Sequence, residues 1–233
     1  MHGAMRIPEL SQRDRFVRRA VAQREAWAVV GEDGLAHVDS PNSPGSQVTL
    51  LWSNEVEARR WSDVLAENPR VEMIALNDLL GNVLPNLGEL KQFVGLDWSA
   101  DPIECEVEPA DLIARMRQET IEAFTQRIRQ TNAVWMLEDA DGPALLVAQD
   151  DDNHLMLPCW ALQSEAEARI EGPWADMQAV EIPLHNFVRA TLPWLVDQNW
   201  LVAPGYLPGG DMMQLSPLDL VRRIEPAVLA RSA

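Results

Sequence analysis

The chain has 233 residues, enough for one large domain or two of ordinary size, and its 47% apolar and 24% charged residues sit at the globular norm. That composition excludes a disordered tail, a collagen and a coiled coil. Nineteen basic against thirty-six acidic residues leave a formal net charge of −17, which argues against nucleic acid and anionic membrane as partners, since both need clustered cations.

In chain order, a first helix carries an apolar stripe of Phe16, Ala20 and Val21, with Ser11 and Asp14 spaced as a capping box. Residues 26–30 read as a strand, and Asp33-Gly34 as a hairpin turn into a second strand at 35–38. A third strand ends at Trp52, and a short helix is expected over roughly 54–66. Residues 71–75 form the next strand. A helix then starts at Leu76 and is expected to stop near Leu84-Pro85, because proline removes a donor and restricts the residue before it. Strands at 92–96 and 103–107 precede a last helix that begins at Pro109.

The same order then returns. At an offset of 108, positions 13–115 find nineteen identical partners without a gap, where composition alone predicts roughly seven. Trp27 meets Trp135, Trp52 meets Trp160, Leu84-Pro85 meets Leu192-Pro193, and Pro109, Asp111, Leu112 and Arg115 meet Pro217, Asp219, Leu220 and Arg223. A period of that length is a whole domain rather than a solenoid repeat. The second copy of the last helix opens with Ser216-Pro217-Leu218-Asp219, a hydroxyl cap followed by proline and a carboxylate. The expected fold class is α+β: two copies of a small domain, spanning 12–118 and 119–228, each a mainly antiparallel sheet with helices packed on it. The gapless register and a helix-prone joint at 116–121 predict a pseudo-two-fold pair, a monomer containing an internal dimer.

Val134-Trp135, Leu157-Pro158-Cys159-Trp160, Trp174-Ala175, Ile182-Pro183-Leu184, Phe187, Leu192-Pro193-Trp194-Leu195 and Pro217-Leu218-Asp219-Leu220 together resemble the bacterial domain-of-unknown-function family 2750. The first copy keeps Trp27, Trp52, Ile74, Leu76, Leu84-Pro85 and Pro109, but has no Leu-Pro before its Trp52 and has Ala66 where the second has Trp174. The resemblance implies a small α+β domain and supplies no catalytic residue.

No P-loop, GxGxxG, HExxH, CxxC or GxSxG occurs, and no cofactor or metal is expected. None of the four histidines has a histidine partner in the other copy. Asp150-Asp151-Asp152-Asn153 reads as a solvated turn, lacking the glycine and distal glutamate of an EF-hand. Cys105 and Cys159 sit in apolar strand-like runs and read as buried thiols of a reduced protein. Met1 to Arg15 lacks the apolar core of a signal peptide, and no apolar run reaches membrane-spanning length, so the expected compartment is the cytoplasm.

The candidate binding residues are Trp52, Trp160, Trp174 and Glu165. The tryptophans suit core packing or an aromatic anchor for a partner. Glu165 suits an exposed helix position, or a general acid if burial raises its pKa. Two readings of function follow. One is a cytoplasmic binding or regulatory module without catalysis, acting through a protein–protein surface on a basic partner, as the charge favours. The other is a small-ligand binder or enzyme with its site in a groove between the repeats.

Overall fold

The computed structural model describes residues 7–99, 105–148, 154–209 and 212–225, so the acidic run 150–153 lies outside the described residues. The chain divides into one unit of residues 1–119 with 208–211 and another of 120–207 with 212–233.

The first unit runs α1 (Ile7–Gln23), β1 (Glu25–Gly31), β2 (Gly34–Leu35), β3 (His37–Asp39), β4 (Gln47–Trp52), α2 (Glu55–Leu65), β5 (Arg70–Ala75), α3 (Leu76–Asp78), a π-helical turn (Leu79–Val83), α4 (Leu84–Glu89), β6 (Phe93–Leu96), β7 (Glu106–Val107) and the start of α5 (Pro109–Thr131). Among the described residues these strands form one seven-stranded sheet. Strand β1 pairs antiparallel with β5 along its length, and its other neighbours are β2 and β4. The β4–β6 pair is parallel, and the remaining pairs are antiparallel. From Val48 to Trp52 every residue of β4 is buried, which requires packing on both faces of the sheet. On one face Val48, Leu50 and Trp52 meet Ala58 of α2.

In the second unit α5 continues unbroken through the expected joint. It is followed by β8 (Ala133–Asp139), β9 (Gly142–Pro143), β10 (Leu146–Val147), β11 (Leu155–Cys159), α6 (Gln163–Glu167), β12 (Gln178–Pro183), α7 (Leu184–Asn186), a second π-helical turn (Phe187–Thr191), α8 (Leu192–Asp197), β13 (Leu201–Pro204) and α9 (Pro217–Ile224). The sequence offset is also a structural offset. Glu25↔Ala75 becomes Ala133↔Pro183, Val30↔Leu35 becomes Glu138↔Pro143, and the parallel pair Val48↔Phe93 becomes Met156↔Leu201. The Trp27↔Trp52 pair recurs as a bridge between Trp135 and Trp160, closed by two backbone hydrogen bonds of 2.8 Å. Alternation along β8 sends Val134 and Met136 to a core with Phe124, Phe187 and Leu192, and Trp135 and Leu137 to the opposite face with Trp160.

Three expectations are corrected. The helix at Leu76 does not stop at Leu84-Pro85. It continues, as does its counterpart, because a π-helical turn precedes each proline: the Leu84 and Leu192 N–H groups bond to Leu79 and Phe187 carbonyls, five residues back. Widening the helix there relieves the clash a proline ring makes with the carbonyl four residues before it. Helix α1 already exists at Ile7, so Ser11 and Asp14 lie inside it and form no capping box, and Ser216 precedes α9 without a side-chain cap. Trp27 and Trp135 are half-buried and pack against the core from its edge.

Differences between the copies come in compensating pairs. The place of Trp174 beside Trp160 is taken in the first unit by Trp61 of α2, at the same ring separation of 6.4 Å from Trp52. A Cβ on Gly95 would lie 2.5 Å from Leu50 Cδ2 and 2.9 Å from Trp98 Cε2. The second unit has Ala203 at that position, with Pro158 in place of Leu50 and Tyr206 in place of Trp98.

Candidate functional site

Trp52 and Trp160 are 0% exposed. Each indole N–H donates to a backbone carbonyl at 3.0 Å, that of Trp98 in the first unit and of Tyr206 in the second. With the ring packed and its donor satisfied, neither residue presents a face to a partner. Trp174 is partly exposed and stands edge-on to Trp160, with Tyr206 edge-on to it at 5.7 Å. The structure thus unites Trp160, Trp174 and Tyr206, while Trp52 belongs to the equivalent cluster of the other unit. Glu165 lies on α6, its side chain 13% exposed and paired with Arg127 at 3.4 Å.

A polar network of the first unit is built around the partly buried Asp97, a residue that no sequence motif singles out. Its carboxylate accepts from the Ser53 N–H at 2.7 Å and the Ser53 hydroxyl at 3.0 Å. Gln12 donates to the carbonyls of Leu96 and Asp97 at 2.7 and 2.9 Å. Burial raises the Asp97 pKa above its ordinary value, against the lowering effect of the Ser53 hydrogen bonds and of Arg15 and Arg19. Asp97 has φ +48, and its counterpart is Gly205 at φ +65. A glycine takes the left-handed region freely, whereas an aspartate there needs anchoring. The second copy accordingly has Ala161 and Thr120 where the first has Ser53 and Gln12. This network holds a turn.

Both cysteines are free and buried. Burial, with Glu9 nearby, pushes the Cys105 thiol up to about 12, and burial alone raises Cys159. Thiols held protonated in this way make poor nucleophiles and poor metal ligands. Among the described residues no helix is long and apolar enough to cross a membrane.

The second unit exposes large apolar side chains at positions where the first has amide or small residues. Helices α8 and α9 enclose a groove of about 190 Å³ lined by Leu192, Pro193, Val196, Asp197, Pro217, Leu218 and Val221. Leu218 is 53% exposed, and Val196 and Trp194 are each 41% exposed. Trp194 is braced edge-on by Trp200 at 5.0 Å. The equivalents of Trp194, Val196, Trp200 and Leu218 in the first copy are Asn86, Gly88, Gln92 and Ala110. In the first unit Gln92 hydrogen-bonds with Thr49 and Gln47, and the exposed apolar residue there is Leu90 at the end of α4, where the second copy has Gln198. The signal for this surface was present in the repeat as four aligned positions where one copy is large and apolar and the other amide or small.

Comparison with known proteins bears on the same repeat. The family model described as "Protein of unknown function (DUF2750)" matches residues 13–116 and again 121–224. No curated protein matches the chain. Among solved structures, Anabaena Tic22 (protein transport) is 12% identical with a TM-score of 0.26, over 84% of this chain and 93% of that one. Tic22 from Plasmodium falciparum is 10% identical with a TM-score of 0.24, over 92% and 98% respectively. Scores this low carry no argument about function.

Proposed function

Since the chain belongs to the DUF2750 family, matched once by each repeat, we propose that it is a cytoplasmic binding or regulatory module without catalysis. It acts through a protein–protein surface formed by α8 and α9 of its second unit. The observation that carries this reading is a copy-specific apolar face: Val196 and Leu218 stand exposed in the lining of a groove, and Trp194 is exposed on the same helix α8 outside that lining, whereas the equivalent positions of the first copy are Gly88, Ala110 and Asn86. One framework supports both faces, so the fold itself does not require large apolar side chains there. Gathered on a surface, such side chains mark an interaction site, whereas scattered ones such as Val64 and Met73 need no explanation. The protonated thiols support a role without nucleophilic chemistry, and two free buried cysteines suit a reducing compartment.

The test is parallel capture from the native cytoplasm with the parent chain and with Leu218→Asp and Trp194→Ala. Aspartate at position 218 falls in the first turn of α9, where a negative charge favours the helix, so the fold should persist by circular dichroism. Proteins retained by the parent and lost from both variants support the reading. The same proteins on all three baits would contradict it.

A further inference from the structure

Resting on that reading, we propose that the occupant of the α8–α9 groove is an amphipathic helix of a partner protein whose apolar stripe is flanked by lysine or arginine. Three observations select this partner. The groove runs between two helices and is lined by side chains rather than by a free sheet edge. That geometry suits a helix presenting residues at i, i+3, i+4 and i+7, not an added strand. Pro193, Val196, Leu218 and Val221 supply apolar lining, and Asp197 is the charged residue among those that line it.

Charge decides the rest. Residues 121–223 carry fifteen acidic and six basic residues, a net of −9, within a chain of −17. Arg222, beside the groove on α9, is paired with Asp219 at 3.0 Å. A partner of positive potential is steered toward such a surface, and a second copy of this chain is repelled by it. The exposed ring of Trp194, held by Trp200, adds a surface on which a guanidinium or ammonium group can stack.

The experiment uses the full chain and two fluorescent peptides of about four helical turns, with leucine at the stripe positions and the remaining positions all lysine or all glutamate. Anisotropy titration reads binding. The proposal expects the lysine peptide to bind at least about tenfold more tightly than the glutamate peptide. That preference should weaken as salt rises, and Leu218→Asp and Trp194→Ala should each lower affinity several-fold. Equal affinity for the two peptides, no binding of the lysine peptide, or unchanged binding in the variants would overturn it. Concentration-dependent dimerisation on gel filtration that Leu218→Asp abolishes would also overturn it, by assigning the groove to a second copy. The broader reading has a separate readout. If the variants lose captured cytoplasmic partners while the peptides show no charge preference, the surface stands and the cationic helix falls.

Discussion

Gly95→Ala is a single-methyl change whose cost follows from named distances. Its new Cβ would stand 2.5 Å from Leu50 Cδ2 and 2.9 Å from both Trp98 Cε2 and Trp98 Nε1. Neither neighbour has room to retreat, since Leu50 is 1% and Trp98 4% exposed. Trp98 is further tied by its indole N–H, which donates to the Cys105 carbonyl at 3.0 Å. Overpacking of this kind costs about 1–3 kcal/mol, and the reduced freedom of alanine in the unfolded chain offsets about 0.4–1 kcal/mol of it. The expected net loss is about 1–2 kcal/mol. Leu50→Ala alone should cost about 2–5 kcal/mol by leaving a cavity. In the double variant the added methyl has space, so its cost should fall short of the sum by about 0.5–3 kcal/mol. Urea unfolding followed by circular dichroism measures all four corners of this cycle. A Gly95→Ala protein as stable as the parent, or a strictly additive cycle, would refute the packing argument.

Other expectations concern the tryptophans, the thiols and Asp97. Trp160→Ala should cost about 3–5 kcal/mol in chemical unfolding, and Trp135→Ala clearly less, because its ring is half-buried; equal losses would contradict the distinction. Cys105 and Cys159 should both resist a thiol reagent at neutral pH in the native protein and both react in denaturant. A native thiol that reacts within minutes would contradict their burial. The Asp97 pKa is raised in the folded state, so the folded chain holds a proton that the unfolded chain releases above 3.8. Stability from this group is therefore full below 3.8 and is lost as pH rises through the folded value. Asp97→Asn should flatten that decline in denaturation curves collected across pH, and an unchanged slope would count against it.

The framework was legible because duplication made it so. Identities at a constant offset marked the turns, the tryptophan pair and the Leu-Pro helices, and the strand registers follow the same offset. Local rules failed where tertiary context overrode them. A proline predicts a helix end from its own sterics, but a π-helical turn of five residues lets the helix pass, and nothing local in Leu84-Pro85 announces that turn. Trp61 was invisible as a substitute for Trp174 because it reaches Trp52 from another element, α2, at a position where the other copy has Arg169. Two of the candidate binding residues, Trp52 and Trp160, are core for a related reason. Shared tryptophans drew attention because they are shared, yet what both copies share is the core that both must build. Trp52 and Trp160 are buried by that requirement. The surface that distinguishes the second unit lies where the copies disagree, at Trp194, Val196, Trp200 and Leu218.

Hydrogen exchange of the chain, alone and bound to the partner recovered by capture, tests the surface assignment most directly. Helices α4 and α8, and the first turns of α5 and α9, are equivalent in backbone, so each serves as the control for the other. Binding at α8 and α9 should slow exchange at 192–198 and 217–222 and leave 84–90 and 109–114 unchanged. Protection confined to the first unit, or equal in both, would contradict it.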